Sequence, residues 1–134
     1  MVREATLIVE TELPIGFTCA NGTGIEKGTI LKMADPMTAS YANATNQIPA
    51  GIAATEKIAS DGKTKIGVYR HGIFKGTCSG SIAIGDPVIT AETNFIMTGL
   101  AQSGVNRLGT ALEAGAATET ILFELNPGYM VATV

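Results

Sequence analysis

Short runs of β-branched and apolar residues recur along the chain, each closed by Gly, Pro, Asn or Asp. Several alternate strictly. Ile30, Lys32 and Ala34 oppose Leu31 and Met33, and Ile121, Phe123 and Leu125 oppose Leu122 and Glu124. A period of two sends successive side chains to opposite faces of a strand. The pattern predicts strands over residues 5–11, 17–20, 29–34, 48–54, 65–70, 73–77, 87–90, 95–98, 107–113 and 120–125. Short strands at this spacing, separated by turn residues, predict an all-β, single-domain β-barrel or sandwich.

Turn chemistry agrees. Asn21-Gly22 and Asp61-Gly62 can supply positive φ, while Asp35-Pro36 and Asp86-Pro87 preset bends, so all three aspartates have turn roles. Residues 35–43 also carry a helix signal as the alternative to a turn: Asp35 fits an N-cap, Pro36 a first helical position, and Met37 and Tyr41 one face. One short helix is therefore expected at most, near 35–43.

The chain also resembles itself at an offset near 57 residues. Phe17 falls on Phe74, Ile25 on Ile82 and Gly28 on Gly85; Gly51-Ile52-Ala53 answers Gly109-Thr110-Ala111, and residues 65–72 answer 121–128 after a short slip in the connecting loop. This degenerate internal duplication implies two similar groups of strands, neither large enough to bury a core alone, each covering the apolar face of the other. Residues 1–12 lie outside the repeat as an N-terminal arm or first strand, residues 13–128 form the β domain, and residues 129–134 form a C-terminal tail. Removal of residues 1–12 is expected to leave a folded domain.

Composition narrows the function. The 134 residues, 13.8 kDa, are 46% hydrophobic and 16% charged, which excludes intrinsic disorder. A net charge of -3 without a basic cluster gives nothing to neutralise phosphates, so nucleic acid is not an expected partner. No uncharged apolar run approaches the roughly 20 residues of a membrane span. Membrane is not an expected partner either. The apolar tract Leu7-Ile8-Val9 is hemmed in by Glu4, Glu10 and Glu12, unlike the core of a secretory leader.

Candidate chemistry is sparse. Cys19 and Cys78 are too few for a disulfide framework and sit in small, Thr-rich surroundings suited to buried thiols. A triad would depend on the single histidine, His71, which the pattern places in an exposed turn. Cys19, Cys78 and His71 lack the close ligand pair of a zinc site. Nothing singles out a carboxylate pair among nine glutamates, and Glu10 and Glu12 fit solvated edge charges. The glycines Gly22, Gly24 and Gly28 precede a strand rather than the helix a phosphate loop requires. The absence of Trp counts against a sugar-stacking platform. No catalytic residue, metal or cofactor is expected.

Several segments in order resemble a known family: Glu10-Thr11-Glu12-Leu13-Pro14-Ile15-Gly16-Phe17; Gly24-Ile25-Glu26-Lys27-Gly28-Thr29-Ile30-Leu31-Lys32 with Asp35-Pro36; Ala50-Gly51-Ile52-Ala53 leading through Glu56-Lys57-Ile58-Ala59-Ser60-Asp61-Gly62 to Val68-Tyr69-Arg70; Ala83-Ile84-Gly85-Asp86-Pro87-Val88; and Leu108-Gly109-Thr110-Ala111-Leu112-Glu113. Their order and spacing resemble the capsid decoration, or cement, proteins of tailed bacteriophages. The resemblance implies a non-enzymatic virion structural protein on the outer capsid surface, made in the host cytoplasm, that clamps neighbouring subunits of the major capsid protein and self-associates as a homotrimer. It further implies that Thr6, Leu7, Ile8 and Val9 are capsid-binding, since an extended arm adds a strand through main-chain hydrogen bonds. The same residues also fit an ordinary first strand. A non-catalytic binding module, of adhesin or carbohydrate-binding type, is the alternative function.

Overall fold

The structure, a computed structural model, describes residues 3–131. It holds β1 (Thr6–Val9), β2 (Ile15–Thr18), β3 (Ile30–Asp35), β4 (Thr38–Tyr41), β5 (Pro49–Ala53), β6 (Lys65–Tyr69), β7 (Gly72–Cys78), β8 (Pro87–Thr90), β9 (Phe95–Thr98), β10 (Gly104–Ala111) and β11 (Thr120–Val131). Every strand expected from the alternation is present. The fold is all-β.

Of the two readings of residues 35–43, the turn forms and the short helix does not; β4 follows the turn. Asp35 pairs with Thr38 across a tight turn in which Pro36 is followed by Met37 at φ +49. A proline before a positive-φ residue is the order a type II turn requires, and the same Asp-Pro start serves a helix or a turn equally well. Tertiary pairing decides between them. Thr18 donates its N–H to Met37 O at 2.7 Å, and Ala39 is buried in the core.

Strands β2-β4-β3-β5-β6 close into a barrel, with β2–β4 parallel and the other pairings antiparallel. Strands β7 to β11 repeat this topology. Their order is β7-β11-β10-β8-β9, and a parallel β7–β9 pairing joins the ends. β1 is added to the edge of β7 as the terminal strand of that sheet. Tyr129 and Met130 continue β11 opposite β10 rather than forming a tail, and residues 1–2 and 132–134 lie outside the described residues.

The duplication is visible hydrogen bond by hydrogen bond. Cys19 N donates to Thr64 O and Cys78 N to Glu119 O; Gly28 N donates to Ala53 O and Gly85 N to Ala111 O. Gly28 and Gly85 share φ values of +85 and +86. Leu31 pairs with Gly51 as Val88 pairs with Gly109. These registers equate Gly28 with Gly85, Gly51 with Gly109 and Ala53 with Ala111, in agreement with the sequence offset. Phe17 and Phe74, however, are not equivalent. The true counterpart of Phe17 is Gly76, because Phe17 faces Ile66 as Gly76 faces Ile121, and Phe74 corresponds to Ile15. The final strand is one residue out of the expected alignment for the same reason: Lys65 corresponds to Thr120, not Ile121. Volume has been exchanged across the barrel. A Cβ on Gly76 would lie 2.9 Å from the Phe123 ring, so Phe17 with Val68 in one barrel is replaced by Gly76 with Phe123 in the other.

Each half thus closes around its own interior instead of lending one face to a shared core. Phe17, Cys19, Ile25, Leu31, Ala50 and Val68 fill the first barrel. The second core, around Phe74, Val88, Ile96, Leu108, Ile121 and Phe123, extends outward to take Ala5, Ile30, Ala42 and Ile52. Alternation explains the division: Leu31 points into its own barrel and Ile30 onto the neighbour. That junction fuses the two barrels into one domain. Asn94 bolts it, accepting from Ile30 N at 2.7 Å and donating to Gly28 O at 3.0 Å and Arg3 O at 2.6 Å. Asn106 adds two bonds to Asn46, its N–H donating to Asn46 Oδ1 and its Nδ2 to Asn46 O, both at 2.9 Å.

Candidate functional site

β1 meets the rest of the chain along one edge only: Thr6 faces Lys75, Leu7 faces Phe74 and Val9 faces Ile73, with a bulge that leaves Ile8 without a register partner. Thr6, Leu7, Ile8 and Val9 therefore lie together on one terminal strand of the molecule's own sheet. Leu7 is half-buried against the second core, whereas Ile8 is 50% and Val9 45% exposed. A terminal strand keeps a row of unpaired backbone donors and acceptors, which can accept another chain.

The segment is nevertheless anchored. Ala5 is buried in the second core and donates its N–H to Gly28 O at 3.0 Å. Ala5 and Leu7 thus contribute to the packing of the second core, a share in the fold that the repeat did not assign to this segment. Past β1, Tyr69 Oη donates to Glu10 at 2.8 Å, and the Glu10 carboxylate pushes the Tyr69 hydroxyl pKa up. Glu12 lies 2.6 Å from Nδ1 of His71, in the turn between β6 and β7. Both glutamates thus brace the β1–β2 connection from the end of β6. Alternation alone did not reveal this role.

Beside β1 runs a cleft of about 230 Å³, lined by Glu4 to Leu7 on one side and by Lys27, Gly28, Ala53, Ala54 and Tyr69 on the other, with Phe74 between. It is a groove between an edge strand and the first barrel. Cys19 and Cys78 occupy equivalent positions in separate cores, and burial pushes both thiols up. His71 stands apart from both, on the surface turn. Among the described residues no group of His, Cys, Asp and Glu is arranged to hold a metal ion. Lys57, buried at 3%, donates to Asp61, Asn21 O and Ile58 O and ties the loop ends of the first barrel together.

Comparison with known proteins accords with this fold. The N-terminal base of the head fiber gp8.5 of bacteriophage phi29 has a similar crystal structure, with a TM-score of 0.56 at 18% identity over 84% of this chain and 93% of that one. No curated protein matches the sequence. The profile of the phage cement protein family matches residues 9–125, which take in every strand from β2 to β10 and the first half of β11. The chain therefore belongs to the phage cement protein family.

Proposed function

We propose that this chain lies on the outer surface of a phage capsid and stabilises it by clamping neighbouring subunits of the major capsid protein, acting as a homotrimer without catalysis. The observation that carries the reading is family membership over residues 9–125. Edge strand β1, with Ile8 and Val9 outward, supports a strand-addition contact to a capsid segment. Multiple copies make weak contacts sufficient, because a trimer engages several capsid subunits at once and each further contact is intramolecular. Synthesis in the host cytoplasm and assembly onto finished heads follow from this role.

The test is co-sedimentation of the purified protein with heads stripped of it. Saturable binding at a fixed ratio to the major capsid protein is expected. Absence of binding to intact, expanded heads would overturn the reading. Ile8→Lys with Val9→Lys is expected to lower occupancy while the far-ultraviolet circular dichroism stays that of wild type. Unchanged occupancy would move the contact away from β1.

A further inference from the structure

The duplication makes the inner junction a template. At that junction the first barrel presents Gly28, Ile30, Ala42 and Ile52, and the second barrel receives them beside Phe74 and Asn94. Each of these positions has a counterpart at the opposite end of the molecule. By register, Gly28, Ile30, Ala42 and Ile52 correspond to Gly85, Pro87, Gly99 and Thr110 on the second barrel, and Phe74 and Asn94 correspond to Ile15 and Met37 on the first. Apart from Gly99, which is buried beside Val105 and Ile89, these counterparts reach the surface, so half of a junction face is open at each end.

Both free faces carry large exposed apolar side chains. Around Gly85 and Pro87 lie Ile84, 72% exposed, Leu100, 62%, and Leu112, 43%; on the other end Ile15 is 45% and Met37 49% exposed. Glu4 and Ala5 crowd Gly28, whereas nothing lies within 4 Å of a Cβ built on Gly85. The chemistry also changes in step. At the inner junction Ile30 gives its N–H to the Asn94 side chain at 2.7 Å. At the free faces the counterpart of Ile30 is Pro87, which has no N–H, and the counterpart of Asn94 is Met37, which has no amide. Donor and acceptor of that bond have been lost together, so an apolar Pro87–Met37 contact takes the place of the Ile30–Asn94 hydrogen bond without orphaning either of its partners. Such matching is what two faces need if they meet each other.

We infer that copies of this chain join head to tail, the Ile84–Pro87–Leu112 face of one seating on the Ile15–Met37 end of the next and repeating the internal barrel-to-barrel packing. The interface is heterologous, so its repetition closes a ring or extends a filament according to the rotation between barrels. The aromatic contact of Tyr69 with Phe74 is not repeated, since Glu124 stands in place of Tyr69. The contact between copies is accordingly weaker than the one within a copy. This inference gives faces to the self-association in the proposed function, and its test uses no capsid.

The test is sedimentation velocity of three full-length proteins: wild type, a variant of one face (Ile84→Lys with Leu112→Lys) and a variant of the other (Ile15→Lys with Met37→Lys), each checked by circular dichroism. Wild type is expected to form oligomers and each variant to be monomeric. An equal mixture of the two variants is expected to give dimers and nothing larger, because only one intact pair of faces remains. A wild type that stays monomeric at near-millimolar concentration, a variant that keeps the wild-type mass, or a mixture without dimers would overturn the inference. Capsid binding by a monomeric wild type would leave the cement reading standing and sink this one.

Discussion

Replacing Asn94 should separate the two barrels energetically. Its side chain is 3% exposed and serves Ile30 N, Gly28 O and Arg3 O. In Asn94→Gly the left-handed φ of +58 is kept without strain, so the backbone conformation does not mask the loss of the side-chain hydrogen bonds. Gly28 O retains the N–H of Ala5 and Arg3 lies near the surface, which leaves Ile30 N as the buried orphan. An orphaned buried donor costs about 1–3 kcal/mol and each of the other two lost pairings about 1 kcal/mol, so the total is about 3–5 kcal/mol. At about 2.1 cal/mol/K per residue, the 134-residue chain has an unfolding entropy of about 0.28 kcal/mol/K, and the midpoint should fall by about 11–18 °C. Met37→Gly is the control, measured at a dilution at which copies are separate: the same backbone position in the first barrel, with φ +49 and an exposed side chain, should be neutral or slightly stabilised. Scanning calorimetry with urea titration measures both. An Asn94→Gly loss below about 0.5 kcal/mol would refute the argument, since it would place Asn94 among surface substitutions.

Gly51→Ala and Gly109→Ala would each drive a Cβ into the carbonyl of the facing strand, Tyr69 O and Glu124 O respectively. Each should cost about 1–3 kcal/mol, and Gly51→Ala more because its φ is +145, whereas Gly16→Ala, with open space around it, should be tolerated; thermal midpoints in the reverse order would contradict the registers. The Lys57 ammonium holds the Asp61 carboxyl below its usual range, so this contribution to stability is present above pH about 4 and is lost as pH falls through the folded pKa. The stability difference between wild type and Asp61→Asn, followed by urea unfolding, should therefore shrink on acidification below that value; a constant gap would disprove the linkage. Burial pushes Cys19 and Cys78 up, so both should react with a disulfide reagent at neutral pH only as fast as the barrels open, and prompt labelling of the native protein would contradict their placement.

How much of this was legible from the residues depends on range. Alternation and turn residues specified the strands because pleat and φ preference act within a few residues, and the spacing of Gly28 with Gly85 and Gly51 with Gly109 revealed the duplication because both copies need glycine, the first pair for the same positive φ and the second for the same close approach. The tract from Thr6 to Val9 was visible as an extended apolar segment. Its edge position on β7 was not, since pairing across more than sixty residues leaves no local mark. Tertiary structure likewise decided β4 over a helix, because Asp35-Pro36 serves either and only the pairing of Thr38 with Thr18 chooses. It corrected Phe17 against Phe74, since like residues aligned in sequence while the barrel interior takes its aromatic ring from a different strand in each copy. And it alone showed that two closed barrels share a junction whose counterpart faces stay open, for a face is defined by register, and register is a property of the assembled sheet.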